Sequence, residues 1–279
     1  QDKATFFNFE LERLDVAYLP VDKQKLNTDL GPYDHYMMKE IDQQPAVIRQ
    51  LMAEYLQDDS VQIDPKILRD IEASDRIYMI AAGTSMHAGM LGKRMFESLA
   101  NIPVEVHIAS EFAYHVPLLS NKPYFILITQ SGETADLRSS LQAIEHLNRP
   151  ILTITNVKTS TLAREAWYYL DVMADVEIAV ASTKAYVAQA TMLLILAYAL
   201  SDKSFPIMKE LSSLAAHIET FLSNHTMREL ARDYLRKPNC FYIGRGAAFD
   251  LALEAALKLK EISYIQTEGF AAGELKHGT

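Results

Sequence analysis

Asp75-Arg76-Ile77-Tyr78-Met79-Ile80-Ala81-Ala82-Gly83-Thr84-Ser85 is the stretch on which the fold turns. Arg76–Ala82 is an apolar run of strand length, and a glycine turn closes it before Met86–Leu99, which suits a helix. Downstream the pattern repeats. Val104–Ala109, Tyr124–Thr129 and Ile151–Thr155 are strand-like, and Tyr168–Met173 is a fifth candidate. Ala135–Leu147 and Ser160–Ala166 fall between them as crossover helices. Strands alternating with helices predict an α/β fold, a sandwich around a mainly parallel sheet. Lys184–Leu200 is nearly all apolar and suits a helix buried between layers. Upstream, residues 1–35 are mixed and polar with Pro20, Gly31 and Pro32 as breakers, and read as a linker or arm. A helical pattern follows from His35 through Ile41, Ile48, Leu51 and Tyr55.

The opening stretch has an echo. Asn239-Cys240-Phe241-Tyr242-Ile243-Gly244-Arg245-Gly246 is again an apolar strand, a glycine turn and an Ala/Leu-rich helix, with Gly246 lying 163 residues after Gly83. Two copies of one α/β unit are expected. The first fills about 117 residues to Leu200, but only 33 follow Gly246, so the second is expected to be short by roughly 84 residues.

Composition narrows the function classes. The 279 residues are 49% hydrophobic and 23% charged, with material for a sizeable core. Lys plus Arg number 27 against 36 Asp plus Glu, a net charge of -9, and no basic run stands out, which disfavours nucleic acid. The single cysteine, Cys240, cannot form an internal disulfide and reads as a small buried hydrophobe in a reducing compartment. No signal peptide pattern is visible, and the most apolar stretch, Met192–Leu200, is half the length of a membrane span. A cytoplasmic location, with no membrane partner, is expected.

Two strand ends carry hydroxyl-rich glycine turns: Gly83-Thr84-Ser85 and Thr129-Gln130-Ser131-Gly132-Glu133-Thr134. Free amides at a helix start favour an anion, and the hydroxyls add donors in a number that fits one phosphate monoester. Neither turn has a Walker lysine and no G-x-G-x-x-G follows the first strand, so a nucleotide is not expected. Glu133 and Asp136 must point away from such an anion. Helix capping by Ser131 and Thr134 is the competing reading. In Leu251–Ile262, Lys258 and Glu261 share a helix face, where a carboxylate could move a proton. On the residues alone a surface ion pair of Glu254 with Lys258 is favoured. His277 lies between Gly273 and Gly278 on a loop and could be presented to a ligand or merely solvated. No metal-ligand spacing is visible.

Taken together, Gly83–Ser85, Gln130–Thr134, Val180–Tyr186, Ala252–Ile265 and Ala271–Gly278 resemble the isomerase half of the glucosamine-6-phosphate synthase family, the isomerizing glutamine–fructose-6-phosphate aminotransferases. The resemblance runs from about Tyr33 to the last residue. It implies sugar-isomerase (SIS) lobes, each a three-layer αβα sandwich: an arm at 1–35, a first lobe at 36–205 and the start of a second at 206–279. It implies that Thr84, Ser85, Thr129, Gln130, Ser131 and Thr134 hold the sugar phosphate, fructose 6-phosphate or glucosamine 6-phosphate, with the Val180 backbone touching the sugar. Glu261 would be the base between C1 and C2, Lys258 its assistant, and His277 the ring-opening group, reaching a neighbouring subunit's site in a homodimer. No cofactor and no metal are expected.

The resemblance also implies parts outside this sequence. A glutaminase domain with a cysteine nucleophile would precede Gln1, and the lysine that forms a Schiff base with the ketose would follow Thr279. Turnover by this stretch alone is therefore doubtful. Two rivals remain: a fructosamine-phosphate deglycase with a similar base, and a non-catalytic SIS sensor, which would not need Lys258, Glu261 and His277.

Overall fold

The computed structural model describes residues 4–16, 29–202, 204–224, 226–234 and 237–278. A short hairpin pairs Phe6–Phe7 with Arg13–Leu14 ahead of helices α1 (Tyr36–Asp42) and α2 (Gln44–Tyr55). A second short hairpin (Leu56–Gln57 with Ser60–Val61) leads to α3 (Pro65–Glu72), where Pro65 starts the helix and Asp64 caps it. Then come β1 (Arg76–Ala81), α4 (Gly83–Met95), β2 (Val104–Ile108), α5 (Ala109–Tyr114), β3 (Pro123–Ile128), α6 (Ala135–Ile144), β4 (Ile151–Thr155), α7 (Thr161–Glu165) and β5 (Tyr168–Asp171). The chain continues through α8 (Lys184–Ala199), α9 (Ile207–Leu222), α10 (Thr226–Tyr234), β6 (Asn239–Gly244), α11 (Ala247–Ser263) and β7 (Gln266–Ala271).

The main sheet is wholly parallel, in the order β2-β1-β3-β4-β5. All five strands overlap the apolar runs singled out in the sequence. Every residue of β3 and β4 is buried, as expected when helices cover both faces of a parallel sheet. Alternation sorts the side chains between two cores. Ile77, Met79, Ile126 and Ile154 enter the larger one with α2, α8 and α9, while Tyr78, Ile80, Phe125 and Leu127 enter the smaller one with α5 and α6. That is the three-layer sandwich. The division at 205/206 runs ahead of α9, whose Ile207, Leu211 and Ala215 pack into the larger core.

The echo in the sequence is an echo in space. β1-α4-β2 and β6-α11-β7 are both parallel strand–helix–strand units. Gly83 at the first helix start has φ +52 and Gly246 at the second has φ +59, backbone that an L side chain rarely adopts. The two helices pack on each other. The second unit is a two-stranded sheet, with Phe241 and Ile243 exposed. Cys240 is half-buried, a correction to the expected core position: its strand packs mainly on β7 and α11. No helix among the described residues is long and apolar enough to cross a membrane.

Candidate active site

The strand order places the site. From β1 the chain crosses outward to β2, and from β2 it returns to β3 on β1's other side, so the carboxyl ends of β1 and β3 diverge into a crevice. Both hydroxyl turns open there. Between them lies a cavity of about 220 Å³, whose lining includes Thr84 and Ser85 from the first turn and Thr129, Gln130, Ser131 and Thr134 from the second. Val180 lines it from the loop before α8, and Glu261 from α11. Eight of the ten residues proposed from the sequence are thus brought together.

The second turn is held in shape by bonds within itself. Thr129 Oγ1 accepts from the Gly132 amide at 3.2 Å and lies 3.0 Å from Thr134 Oγ1. Thr134 precedes α6 but makes no side-chain cap bond, so the capping reading fails for it; Ser131 Oγ accepts from the Glu133 amide at 3.2 Å. A side chain at Gly132 would meet Ser160 Oγ at 1.9 Å. Glu133 turns outward, its Oε1 accepting from the Thr161 amide at 2.7 Å. Hydrogen bonds from Thr161 hold this exposed carboxyl below its ordinary range. Asp136 is likewise exposed and does not line the cavity.

Lys258 is the link between the two units. Its Nζ donates to Thr84 Oγ1 at 2.6 Å and to Glu261 Oε2 at 2.8 Å, and lies 3.4 Å from Glu254 Oε1. The Lys258 side chain is 16% exposed and that of Glu254 only 8%, so the surface ion pair read from i, i+4 spacing is wrong. The reason is that this face of α11 packs on α4. His87 Nδ1 of α4 meets Glu254 Oε2 at 2.7 Å, and one turn back Arg94 pairs with Asp250, itself 2% exposed. Val180, which lines the cavity, is 92% exposed.

His277 stands apart. It is exposed in the turns that follow β7, its amide donating to Glu274 O at 2.9 Å, and it does not line the cavity. Sequence reasoning missed Ser182, which lines the cavity and donates from Oγ to Glu177 Oε2 at 2.6 Å. Its signal was present: a hydroxyl within Val180–Tyr186, a stretch that the reading used only for Val180. His87 was also passed over, because its partner lies 167 residues away.

The SIS domain family matches residues 70–199. The chain is 52% identical over 261 residues to the isomerizing glutamine–fructose-6-phosphate aminotransferase of Oceanobacillus iheyensis, covering 91% of this chain and 44% of that one. Against the enzyme of the same name from Lactococcus lactis it is 49% identical over 289 residues, covering 100% and 48%. The chain therefore spans less than half the length of these curated relatives. Among solved structures, the C-terminal domain of glucosamine-fructose-6-phosphate aminotransferase from Francisella tularensis superposes with a TM-score of 0.77 at 34% identity, over 88% of this chain and 72% of that one. With the order of the motifs, the three-layer SIS sandwich and these likenesses in agreement, the chain belongs to the isomerizing glutamine–fructose-6-phosphate aminotransferase family, as a stretch of its C-terminal, SIS-containing part.

Proposed function

We propose that this chain carries the sugar-phosphate site of an enzyme that makes glucosamine 6-phosphate from fructose 6-phosphate and glutamine-derived ammonia. One observation carries the reading: a single cavity holds two hydroxyl turns suited to a phosphate and a lysine-linked carboxylate suited to proton transfer. The hydroxyls of Ser85, Ser131 and Thr134 and the amides of the two turns bind the phosphate, with Thr84, Thr129 and Gln130 shaping the cradle. Val180 lends its backbone to the sugar.

With nitrogen at C2 as an imine, Glu261 removes a proton from C1. The C–H electron pair forms a C1–C2 double bond and the C=N pair moves onto nitrogen. Nitrogen takes up a proton, the C1 hydroxyl loses one as its C–O bond becomes C=O, and return of the Glu261 proton to C2 leaves an aldehyde at C1 and an amine at C2. Lys258 holds the Glu261 carboxylate in place through its 2.8 Å bond and steadies sugar oxygens through the same ammonium. His277 opens the sugar ring in the site of a second copy within a homodimer, consistent with its exposure here. The open face of β6 and β7 is covered by the remainder of a second lobe beginning at 206, the first lobe being 36–205. Ammonia comes from a glutaminase domain of the same protein, preceding the 1–35 arm, in the cytoplasm.

The experiment is Glu261→Gln in the full-length protein. The expected result is retained binding of glucosamine 6-phosphate with isomerisation lost by about a thousandfold or more. Undiminished isomerisation overturns the base assignment. A sensor without catalysis is disfavoured by the position of Glu261 at the cavity with Lys258 bonded to it.

A further inference from the structure

Glu40 is a buried carboxylate that the reading above does not use. It sits on α1, is 2% exposed, and its Oε1 accepts from the backbone amides of Ile178 at 2.5 Å and Ala179 at 3.1 Å. The next residue is Val180, and Ser182 follows two later; both line the cavity. Burying a carboxylate is costly unless donors and an opposite charge compensate it. Here two amides do so for Oε1, while Oε2 has no hydrogen-bond partner among the described residues; Lys184, also 2% exposed, attracts the carboxylate electrostatically without an ion pair in direct contact. Lys184 Nζ donates to Gln43 Oε1 at 2.9 Å, immediately ahead of α2. Burial pulls its ammonium down from the ordinary value while Glu40, Asp175 and Glu177 pull it up.

The segment that Glu40 holds is strained. Met173 has φ +51 and Asp175 φ +52, left-handed backbone that is uncommon outside glycine. Such backbone persists only where surrounding contacts over-determine it. Some of those contacts are internal: Asp171 Oδ1 accepts from the Met173 amide at 2.8 Å, and Glu177 Oε1 from those of Thr183 at 2.7 Å and Ala185 at 3.3 Å. Asn156 Oδ1 adds one from β4's end, accepting from the Ala174 amide at 2.7 Å. Glu40 is the tie that comes from outside the sheet layer, and it grips the two residues next to the cavity wall.

We propose that Glu40 is a positioning residue of the sugar-phosphate site. It straps the loop at 175–183 to α1 and so sets the distance of Val180 and Ser182 from the turns at 83–85 and 129–134. The proposal rests on the sugar-phosphate reading of the cavity.

Its test is Glu40→Gln in the full-length protein, with KM for fructose 6-phosphate, kcat and Tm measured together. Gln keeps an accepting oxygen but takes the charge from both amide bonds, which should raise KM about tenfold, with kcat changed less than about threefold. Arg49→Ala, which breaks the exposed α2–α9 pair of Arg49 with Glu219, is the control for a merely structural effect and should leave KM unchanged. An unchanged KM in Glu40→Gln, with a wild type that uses fructose 6-phosphate normally, overturns the role of Glu40 alone. A wild type that does not bind the sugar phosphate overturns the reading beneath it. If Glu40→Gln does not fold, hydrogen exchange in the wild type decides: the Ile178 and Ala179 amides should exchange as slowly as those of α1. Exchange at the rate of an unprotected loop overturns the strap.

Discussion

The two strand–helix–strand units, β1-α4-β2 and β6-α11-β7, share a strand, a positive-φ glycine and a helix, yet they give the site different parts. The first contributes its turn: Thr84 and Ser85, at the head of α4, face the cavity. The second contributes nothing from the corresponding turn. Instead, α11 lies along α4 and offers side chains from its last turns, Lys258 and Glu261. On the proposed function, a duplicated unit would divide binding from proton transfer, because a helix start presents amides to an anion whereas a helix flank presents side chains. Lys258, bonded to Thr84 on one side and Glu261 on the other, is where the two contributions meet.

The division can be broken at unequal cost. Gly244→Ala should have the largest effect: a Cβ there would lie 1.9 Å from the Ala248 carbonyl oxygen, which is backbone and cannot swing aside. About 3 kcal/mol of stability should be lost, read as a lowered Tm, and kcat should fall as α11 shifts. Lys258→Met comes next. It removes the link to Glu261 and leaves buried Glu254 with His87 as its remaining partner, so kcat should drop about a hundredfold while the Kd of glucosamine 6-phosphate moves only a few-fold. A large rise in Kd with little change in kcat would mean that the lysine binds rather than positions the base.

Thr129→Val attacks the other hydroxyl turn, which follows β3 and belongs to neither unit. It strands the Gly132 amide and the Thr134 hydroxyl, and sugar-phosphate affinity should weaken about tenfold with kcat at saturation unchanged. The smallest effect belongs to Glu133, whose carboxyl is held low by Thr161. A lowered value in the fold means that the tie is complete at neutral pH and is lost as pH falls through the lowered value. Affinity titrations should show a slight acid weakening in the wild type that is absent in Glu133→Gln. The variant itself should bind less than about threefold more weakly at neutral pH, since the tie is exposed.

Much of this division was legible in the sequence. The five sheet strands stood out because each is a short apolar run between breakers, a local property. The hydroxyl turns stood out because each follows such a run. What stayed hidden depends on which helix face is buried. Glu254 and Lys258 are spaced as a surface pair would be, and only the packing of α11 on α4 makes them interior. Glu40 in Tyr36–Asp42 has no local mark at all: its partners are backbone amides 138 and 139 residues away. Cys240 failed the opposite way, since an apolar strand in the sequence need not be covered on both faces.

The most direct test is a crystal structure of the full-length protein with glucosamine 6-phosphate. The phosphate should lie within hydrogen-bond reach of the Ser85, Ser131 and Thr134 hydroxyls, with C1 and C2 facing the Glu261 carboxylate. A phosphate bound away from residues 83–85 and 129–134, or a sugar whose C1 and C2 point away from Glu261, would contradict the division between the two units.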